Sequence, residues 1–180
     1  MGRILVHEFM SLDAVIDAPT WTVDFGFTDE MGDLLGSIME PCQGILLGRR
    51  TYQEFEPAWS SRTVEDDPGA PFFNDTTKYV VSGSLTETPW RNSQLIGAYD
   101  RNRIHALKDE IGDLWVSGSG TLVRALVADG LVDELHLFMY PVTRGGGPRP
   151  FPDGAQQAFE LATVEQFANG VVHLLAKPKG

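Results

Sequence analysis

Residues 44–55 read Gly-Ile-Leu-Leu-Gly-Arg-Arg-Thr-Tyr-Gln-Glu-Phe, and residues 114–121 read Leu-Trp-Val-Ser-Gly-Ser-Gly-Thr. Each is a short apolar run, then glycine, then the start of a helical segment. A brief apolar run closed by glycine fits a strand buried on both faces. Such strands belong to parallel sheets, because crossover connections lay helices over the sheet faces. The two stretches therefore predict an α/β domain with strands at 44–48 and 114–116, followed by helices from Arg49 and Thr121.

The same alternation extends in both directions. Ile4 to Met10 is a mostly apolar run that fits a buried strand, and the stretch from Ser11 to Phe27 is irregular and carries Pro19 and Gly26. Loops of this length inside a compact domain are usually functional. Thr28 is an N-cap with Asp29 and Glu30 in the first turn, where the helix dipole favours anions. Met31, Leu34, Leu35, Ile38 and Met39 then mark an amphipathic helix that ends before Pro41. The helix from Arg49 extends at least to Phe55, and Ser60 to Asn74 reads as loop. Lys78 to Ser82 is a strand closed by Gly83, and Ser93 to Gly97 is a short strand. Asp100 caps a helix with Ile104, Leu107 and Ile111 on one face, and the helix from Thr121 to Asp129 ends at a left-handed Gly130.

After Leu131 the chain changes character. In Val132 to Val142, Leu135, Leu137 and Met139 alternate with Glu134, His136 and Phe138, which gives a strand two different faces. Gly145, Gly146 and Gly147 lead into Pro148, Pro150 and Pro152, a stiff connection. Phe159–Phe167 and Val171–Lys177 form a closing hairpin turned at Asn169-Gly170. The expectation is one domain over residues 1–180, its sheet parallel at first and antiparallel at the end.

Composition narrows the partners. Fourteen Lys and Arg against 25 Asp and Glu leave a net charge of −11. A polyanion binder needs a basic face that releases counterions, so nucleic acid and anionic membrane surfaces are excluded as partners. With 42% hydrophobic and 22% charged residues, disorder, collagen repeats and coiled coil are excluded as well. Cys42 is the single cysteine, and no Cys/His pair has ligand spacing, so neither a disulfide nor a metal site is expected. No apolar run reaches the length of a membrane span, and the N-terminus has no signal-peptide pattern, which makes the cytoplasm the expected location.

The two strand–glycine–helix turns share one device. A helix N-terminus offers unpaired N–H groups and partial positive charge, and glycine lets a phosphate approach the backbone. In parallel α/β sheets such turns gather at the carboxyl edge, so two of them suit a ligand with separated phosphates, such as a dinucleotide. Arg49 and Arg50 stand where they clamp one phosphate, including a ribose 2′-phosphate. The formal dinucleotide fingerprint is absent, since Val123 occupies the place of its third glycine, and neither a Walker A loop nor a G-x-S-x-G elbow occurs. His7, His136 and His173 fall within strands and read as satisfied or surface imidazoles, like the isolated His105. Asp33 lies opposite its helix's apolar stripe and reads as solvated. Asp13, which opens the long loop, and Asp133 and Glu134, at the start of the late strand, are the candidate acids.

Ser11-Leu-Asp13, Gly48-Arg-Arg-Thr-Tyr52, Lys78-Tyr-Val-Val-Ser82, Val116-Ser-Gly-Ser-Gly120, Leu131-Val-Asp-Glu-Leu135, Pro141 and Gly145 to Gly147 occur in this order along nearly the whole chain. The set resembles the dihydrofolate reductase-like superfamily, in the branch that holds the reductase domain of bacterial riboflavin biosynthesis. That resemblance implies a mixed central sheet of about eight strands flanked by helices, a homodimer, and NADPH lying across the sheet edge. It assigns Gly48, Arg49, Arg50 and Thr51 to the adenosine-side phosphates, Ser82 and Gly83 to the adenosine, and Gly118, Ser119, Gly120, Thr121 and Leu122 to the pyrophosphate. It also implies reduction of a ribosyl group on a pyrimidine amine to ribityl. Asp13 matches the aspartate of the branch's S-L-D-G motif, with Ala14 in place of the glycine. On this reading Asp13 is the general acid, its pKa raised by partial burial, and Glu134 is the other catalytic candidate. A W-x-x-x-x-[D/E] signature of folate reductases is not found on the first helix. Two alternatives stay open: a folate or pteridine reductase, and a non-catalytic nucleotide- or drug-binding protein on the same fold.

Overall fold

The computed structural model describes residues 1–180 other than 18, 119, 153, 155 and 180. Strands and helices are interspersed as far as residue 128. The elements are β1 (Ile4–Ser11), α1 (Asp29–Met39), β2 (Gly44–Gly48), α2 (Arg49–Trp59), α3 (Ala70–Asp75), β3 (Thr77–Val81), β4 (Ser93–Leu95), α4 (Arg101–Ile111), β5 (Leu114–Ser117) and α5 (Gly120–Ala128). Strands alone follow: β6 (Glu134–Tyr140), β7 (Phe159–Gln166) and β8 (Val172–Pro178). They form one sheet in the order β4-β3-β2-β5-β1-β6-β8-β7. β1 to β6 run parallel, whereas β8 is antiparallel to both β6 and β7. The mixed sheet and the antiparallel terminal hairpin expected from the sequence are therefore present.

Strand alternation divides the core between the two faces. Ile45 and Leu47 pack with Met31 and Ile38 of α1, Tyr52 of α2 and Phe73 of α3. Leu46 points the other way, into the layer with Ile104 of α4 and Leu122, Val123 and Leu126 of α5. The Thr28 side chain caps α1 by accepting from the Met31 N–H, and Asp100 caps α4 by accepting from Arg103. Both caps are the ones that the sequence predicts.

Two stretches read as irregular are ordered differently. Within 60–74 the chain forms α3, which starts at Ala70 with Pro71 in its first turn, where proline's missing N–H costs nothing. Phe73 stacks on Trp59 with ring centroids 4.0 Å apart, so packing overrides the weak local signal. The loop after β1 contains a 3-10 turn, Thr20–Phe25, anchored by Trp21 edge-on against Tyr140.

The strand histidines are fully interior. His136 Nδ1 lies 3.1 Å from His173 Nε2, and its Nε2 lies 3.3 Å from a Glu134 carboxylate oxygen. His7 Nδ1 is 3.2 Å from Ser117 Oγ. Burial, reinforced by the neighbouring imidazoles, holds His7 down to about 3 and His173 down to about 4. These rings are neutral core groups. His7 Nε2 and His173 Nδ1 lack hydrogen-bond partners among the described residues, so the expectation of satisfied or surface imidazoles holds only in part.

Candidate active site cleft

The carboxyl ends of β1, β2, β3 and β5 open into one cleft of about 630 Å³. That volume lies within the roughly 300–1,000 Å³ usual for small-molecule sites. On one side Gly48 is the N-cap of α2 and carries no capping side chain. On the other, β5 ends at Ser117, Gly118 takes φ +63°, and α5 begins at Gly120. Left-handed backbone of this kind disfavours any residue with a Cβ. The two turns also touch: a Cβ on Gly118 would stand 3.2 Å from Thr51 Oγ1 in the first turn of α2. A Cβ on Gly120 would meet Ile16 and Pro148, each at 3.3 Å.

Gly48, Arg49, Arg50, Thr51, Ser82, Gly83, Gly118, Gly120, Thr121 and Leu122 all line this cleft. Ser119 lies outside the described residues. Arg50 is engaged at the mouth, 3.1 Å from Asp17 and 3.0 Å from Glu54. Arg49 has no carboxylate partner among the described residues. Arg124 of α5, four residues after Gly120, adds a further cation to the lining.

A wall covers the cleft beside β1. Leu12 N–H donates to Val142, Ile16 N–H donates to Pro148, and the Arg149 guanidinium donates to the Asp13 carbonyl. The Asp13 carboxylate completes the lacing. It accepts from the Ser11 hydroxyl at 2.6 Å and from the backbone N–H groups of Arg144 and Gly145 at 3.0 and 2.8 Å. The Ser11 hydroxyl, then the Arg144 N–H, pull its pKa down to about 2. The expected upward shift is therefore corrected: three donors favour the charged form, and Asp13 is not part of the cleft lining.

Glu134 is likewise displaced from its expected place. It begins β6 opposite Leu5, at the far end of the sheet from the cleft. There it pairs with Arg3 at 3.1 Å and with Lys177 at 2.9 Å. Burial works to raise its pKa, but the bonds from Lys177 and His136 and the charge of Arg3 prevail and lower it.

One buried acid that the sequence reading passed over does line the cleft. Glu8 sits in β1 with 3% of its surface exposed, and it lines the floor. Burial, only partly opposed by a Gly118 N–H donated to the carboxyl, raises its pKa to about 8. The signal was available, because His7 and Glu8 interrupt an apolar run, and a Glu in such a strand is almost never fully buried without a reason. Ile16, Asp17, Pro148 and Arg124 were also missed. Of these only Arg124 had a local signal, its i+4 spacing from Gly120.

Known proteins give this geometry a context. The chain superposes on a putative riboflavin biosynthesis protein from Shewanella sp. PV-4 with a TM-score of 0.80 at 19% identity, covering 99% of each chain. It matches a pyrimidine reductase-like protein from Corynebacterium diphtheriae with a TM-score of 0.66 at 13% identity, covering 99% of this chain and 92% of the other. It also matches the riboflavin biosynthesis reductase Rib7 of Saccharomyces cerevisiae, with a TM-score of 0.62 at 16% identity, covering 99% and 90%. At these identities the likeness speaks for the fold, which is the dihydrofolate reductase-like one. No curated protein is similar enough in sequence to be matched. Among the described residues no helix is long and apolar enough to cross a membrane. The sequence model of the RibD C-terminal domain matches residues 3–173, and the chain belongs to that family.

Proposed function

We propose that the chain is an NADPH-dependent reductase of a small heterocyclic substrate, most like the reduction of the ribosyl group of 5-amino-6-(5-phosphoribosylamino)uracil in riboflavin biosynthesis. The observation that carries the reading is the meeting of two glycine-opened helix N-termini in one cleft, Thr51 against Gly118. Two N–H-rich ends with arginines beside them suit a ligand with separated phosphates. Membership in the RibD C-terminal domain family adds the reaction class, reduction in riboflavin biosynthesis.

The residues present fit the cofactor, since Gly48, Gly118 and Gly120 bring the starts of α2 and α5 into the lining of one cleft. Gly118, Gly120, Thr121 and Leu122, together with Ser119, would hold the pyrophosphate. Gly48, Arg49, Arg50 and Thr51 would hold the adenosine-side phosphates, with Ser82 and Gly83 beside the adenosine. Bound there, the dinucleotide supplies the hydride. Arg49 recognises the 2′-phosphate, because Arg50 is already held by Asp17 and Glu54. The wall laced by Asp13 shields the cleft from water, and Asp13 acts here as a positioning residue. With Asp13 ionised and Glu134 at the far end of the sheet, neither serves as the proton donor. The same reading has the chain act as a homodimer. The edge strand β7 leaves Leu161 and Val164 exposed at 58% and 62%, which a second copy would cover.

Fluorescence titration with NADPH and NADH tests the reading, followed by NADPH oxidation with the pyrimidine, with dihydrofolate and with a pteridine. We expect NADPH to bind ten- to a hundredfold more tightly than NADH, about 1.4–3 kcal/mol, and the pyrimidine to be reduced. Equal affinities, or tight binding without turnover of any of the three, would reject it.

A further inference from the structure

Resting on the dinucleotide reading of the cleft, we propose that Glu8 is a ligand-contacting residue: a carboxyl in the cleft floor that donates a hydrogen bond to an acceptor oxygen of the bound dinucleotide, so that binding and protonation of this one carboxyl are coupled.

Geometry supplies the first reason. Glu8 lies in the middle of the sheet, between β5 and β6, with its carboxyl at the base of the Gly118 turn. The Gly118 N–H donates to the carboxyl, yet Oε1 is buried and has no partner among the described residues. A buried polar atom left unpaired costs about 1–3 kcal/mol, and natural sites seldom tolerate that unless a partner arrives. Glu8 lines the cleft, so a ligand settling on the floor is the partner that this carboxyl can gain. A phosphate, ribose or carboxamide oxygen is an acceptor, and only a protonated carboxyl offers it a donor.

Electrostatics supplies the second. An ionised Glu8 would set a negative charge under the turn proposed to receive the pyrophosphate, with little water to screen it. Burial resolves the conflict by keeping the group neutral at physiological pH. The other charged or titratable groups of the cleft are Asp17 after β1, Arg49, Arg50 and Glu54 on α2, Arg124 on α5, and Tyr99 ahead of α4. Arg50 is paired with Asp17 and Glu54. Tyr99 is held high by burial and by its bond to Asp129. On β6 the neighbour of Glu8 is Leu137, on β5 Ser117 stands opposite His7, and His7 is neutral throughout this range. Lys78 is also lowered to about 8, but its ammonium is bound to the Phe73 and Thr76 carbonyls at the start of β3, away from the cleft.

If only the protonated form binds, apparent affinity scales with the protonated fraction. It should be nearly flat to pH 7 and about tenfold weaker at pH 9. The experiment is calorimetric titration of NADP⁺ into the folded protein between pH 7 and 9.5, in buffers of different ionisation enthalpy. Wild type should lose affinity above pH 8 and take up a proton from the buffer on binding. Glu8→Gln keeps a neutral donor, so it should bind within about threefold of wild type at pH 7 and lose the proton uptake. Glu8→Leu should bind several-fold more weakly than wild type at pH 7 and show no dependence on pH. Normal NADP⁺ binding by wild type with no proton uptake, or an unchanged pH profile in Glu8→Gln, overturns the Glu8 assignment alone. Absence of NADP⁺ binding at every pH overturns the dinucleotide reading and the assignment with it. The wild-type buffer dependence decides the matter even if a variant fails to fold.

Discussion

Replacing Glu8 with Gln should change how stability responds to pH, and the sign follows from four buried groups, Glu8 and the histidines His7, His136 and His173. His7 and His173 are held at about 3 and 4, whereas an unfolded chain titrates its histidines near 6.5. A depressed histidine contributes stability that is present above the unfolded value and lost as pH falls, because the unfolded state takes up the proton first. Between pH 7.5 and 5 each loses about 2 kcal/mol, so the pair loses about 4 kcal/mol. Glu8 runs the other way: its folded value of about 8 exceeds the ordinary 4.5, so its contribution is present at low pH and lost as pH rises. Over the same interval acidification returns about 3 kcal/mol through Glu8. His136, also lowered by burial, adds to the loss, so wild type should fall by at least about 1 kcal/mol between pH 7.5 and 5. Glu8→Gln removes the compensating group. It should be more stable than wild type at pH 7.5 and should fall by at least about 4 kcal/mol by pH 5, on the order of a 10 °C drop in midpoint temperature. Urea unfolding followed by tryptophan fluorescence at the two pH values, at fixed ionic strength, measures this. A Glu8→Gln protein that loses no more stability than wild type would show that Glu8 is already ionised in the fold and refute the reasoning. Asp13, pulled to about 2, titrates below this window and does not disturb the comparison.

Other substitutions probe the cleft directly. Asp13→Asn removes the charge that gathers the Arg144 and Gly145 N–H groups, so hydrogen exchange of those two amides should accelerate while the sheet amides stay protected. Unchanged exchange there would remove the positioning role. Gly118→Ala places a Cβ at φ +63° and 3.2 Å from Thr51 Oγ1. It should cost about 1–2 kcal/mol in urea unfolding and weaken NADPH binding at least tenfold, whereas wild-type affinity would mean that no phosphate sits at this turn. Arg49→Ala should abolish most of the preference for NADPH over NADH and Arg50→Ala much less of it, as read by parallel fluorescence titrations. Equal losses would mean that the Asp17 and Glu54 pairs release Arg50 on binding.

How much of this was legible in the chain depends on the range of the interaction that decides each feature. Strand β2 and the start of α2 are written in a few consecutive residues, an apolar run and a glycine followed by helix formers, and they fall where the sequence puts them. So do the caps Thr28 and Asp100, since a cap is a contact across three residues. Helix α3 was not legible. Its propensity is poor, and what holds it is the stacking of Phe73 on Trp59 and the bonds from the Asn74 amide to the Trp59 and Arg62 carbonyls, all made with residues 12 to 15 positions away.

The candidate acids show the same rule at greater distance. Nothing local to Asp13 says that residues 131 and 132 positions later will turn their N–H groups onto it, yet those donors are what fix it as a carboxylate. Glu134 stands beside Leu135 of the same strand, and only the parallel register with β1 shows that a residue at the start of β6 faces the end of the sheet opposite the glycine turns. Glu8 reverses the case. Its local setting, a carboxyl within a run of buried strand residues, announces a perturbed group without saying which way it faces. The crossover that sets β5 beside β1 brings Gly118 to its carboxyl and turns an anomaly of composition into a cleft residue. For the acids of this chain, residue type and spacing nominate the candidates, and the sheet order decides which of them the cleft can use.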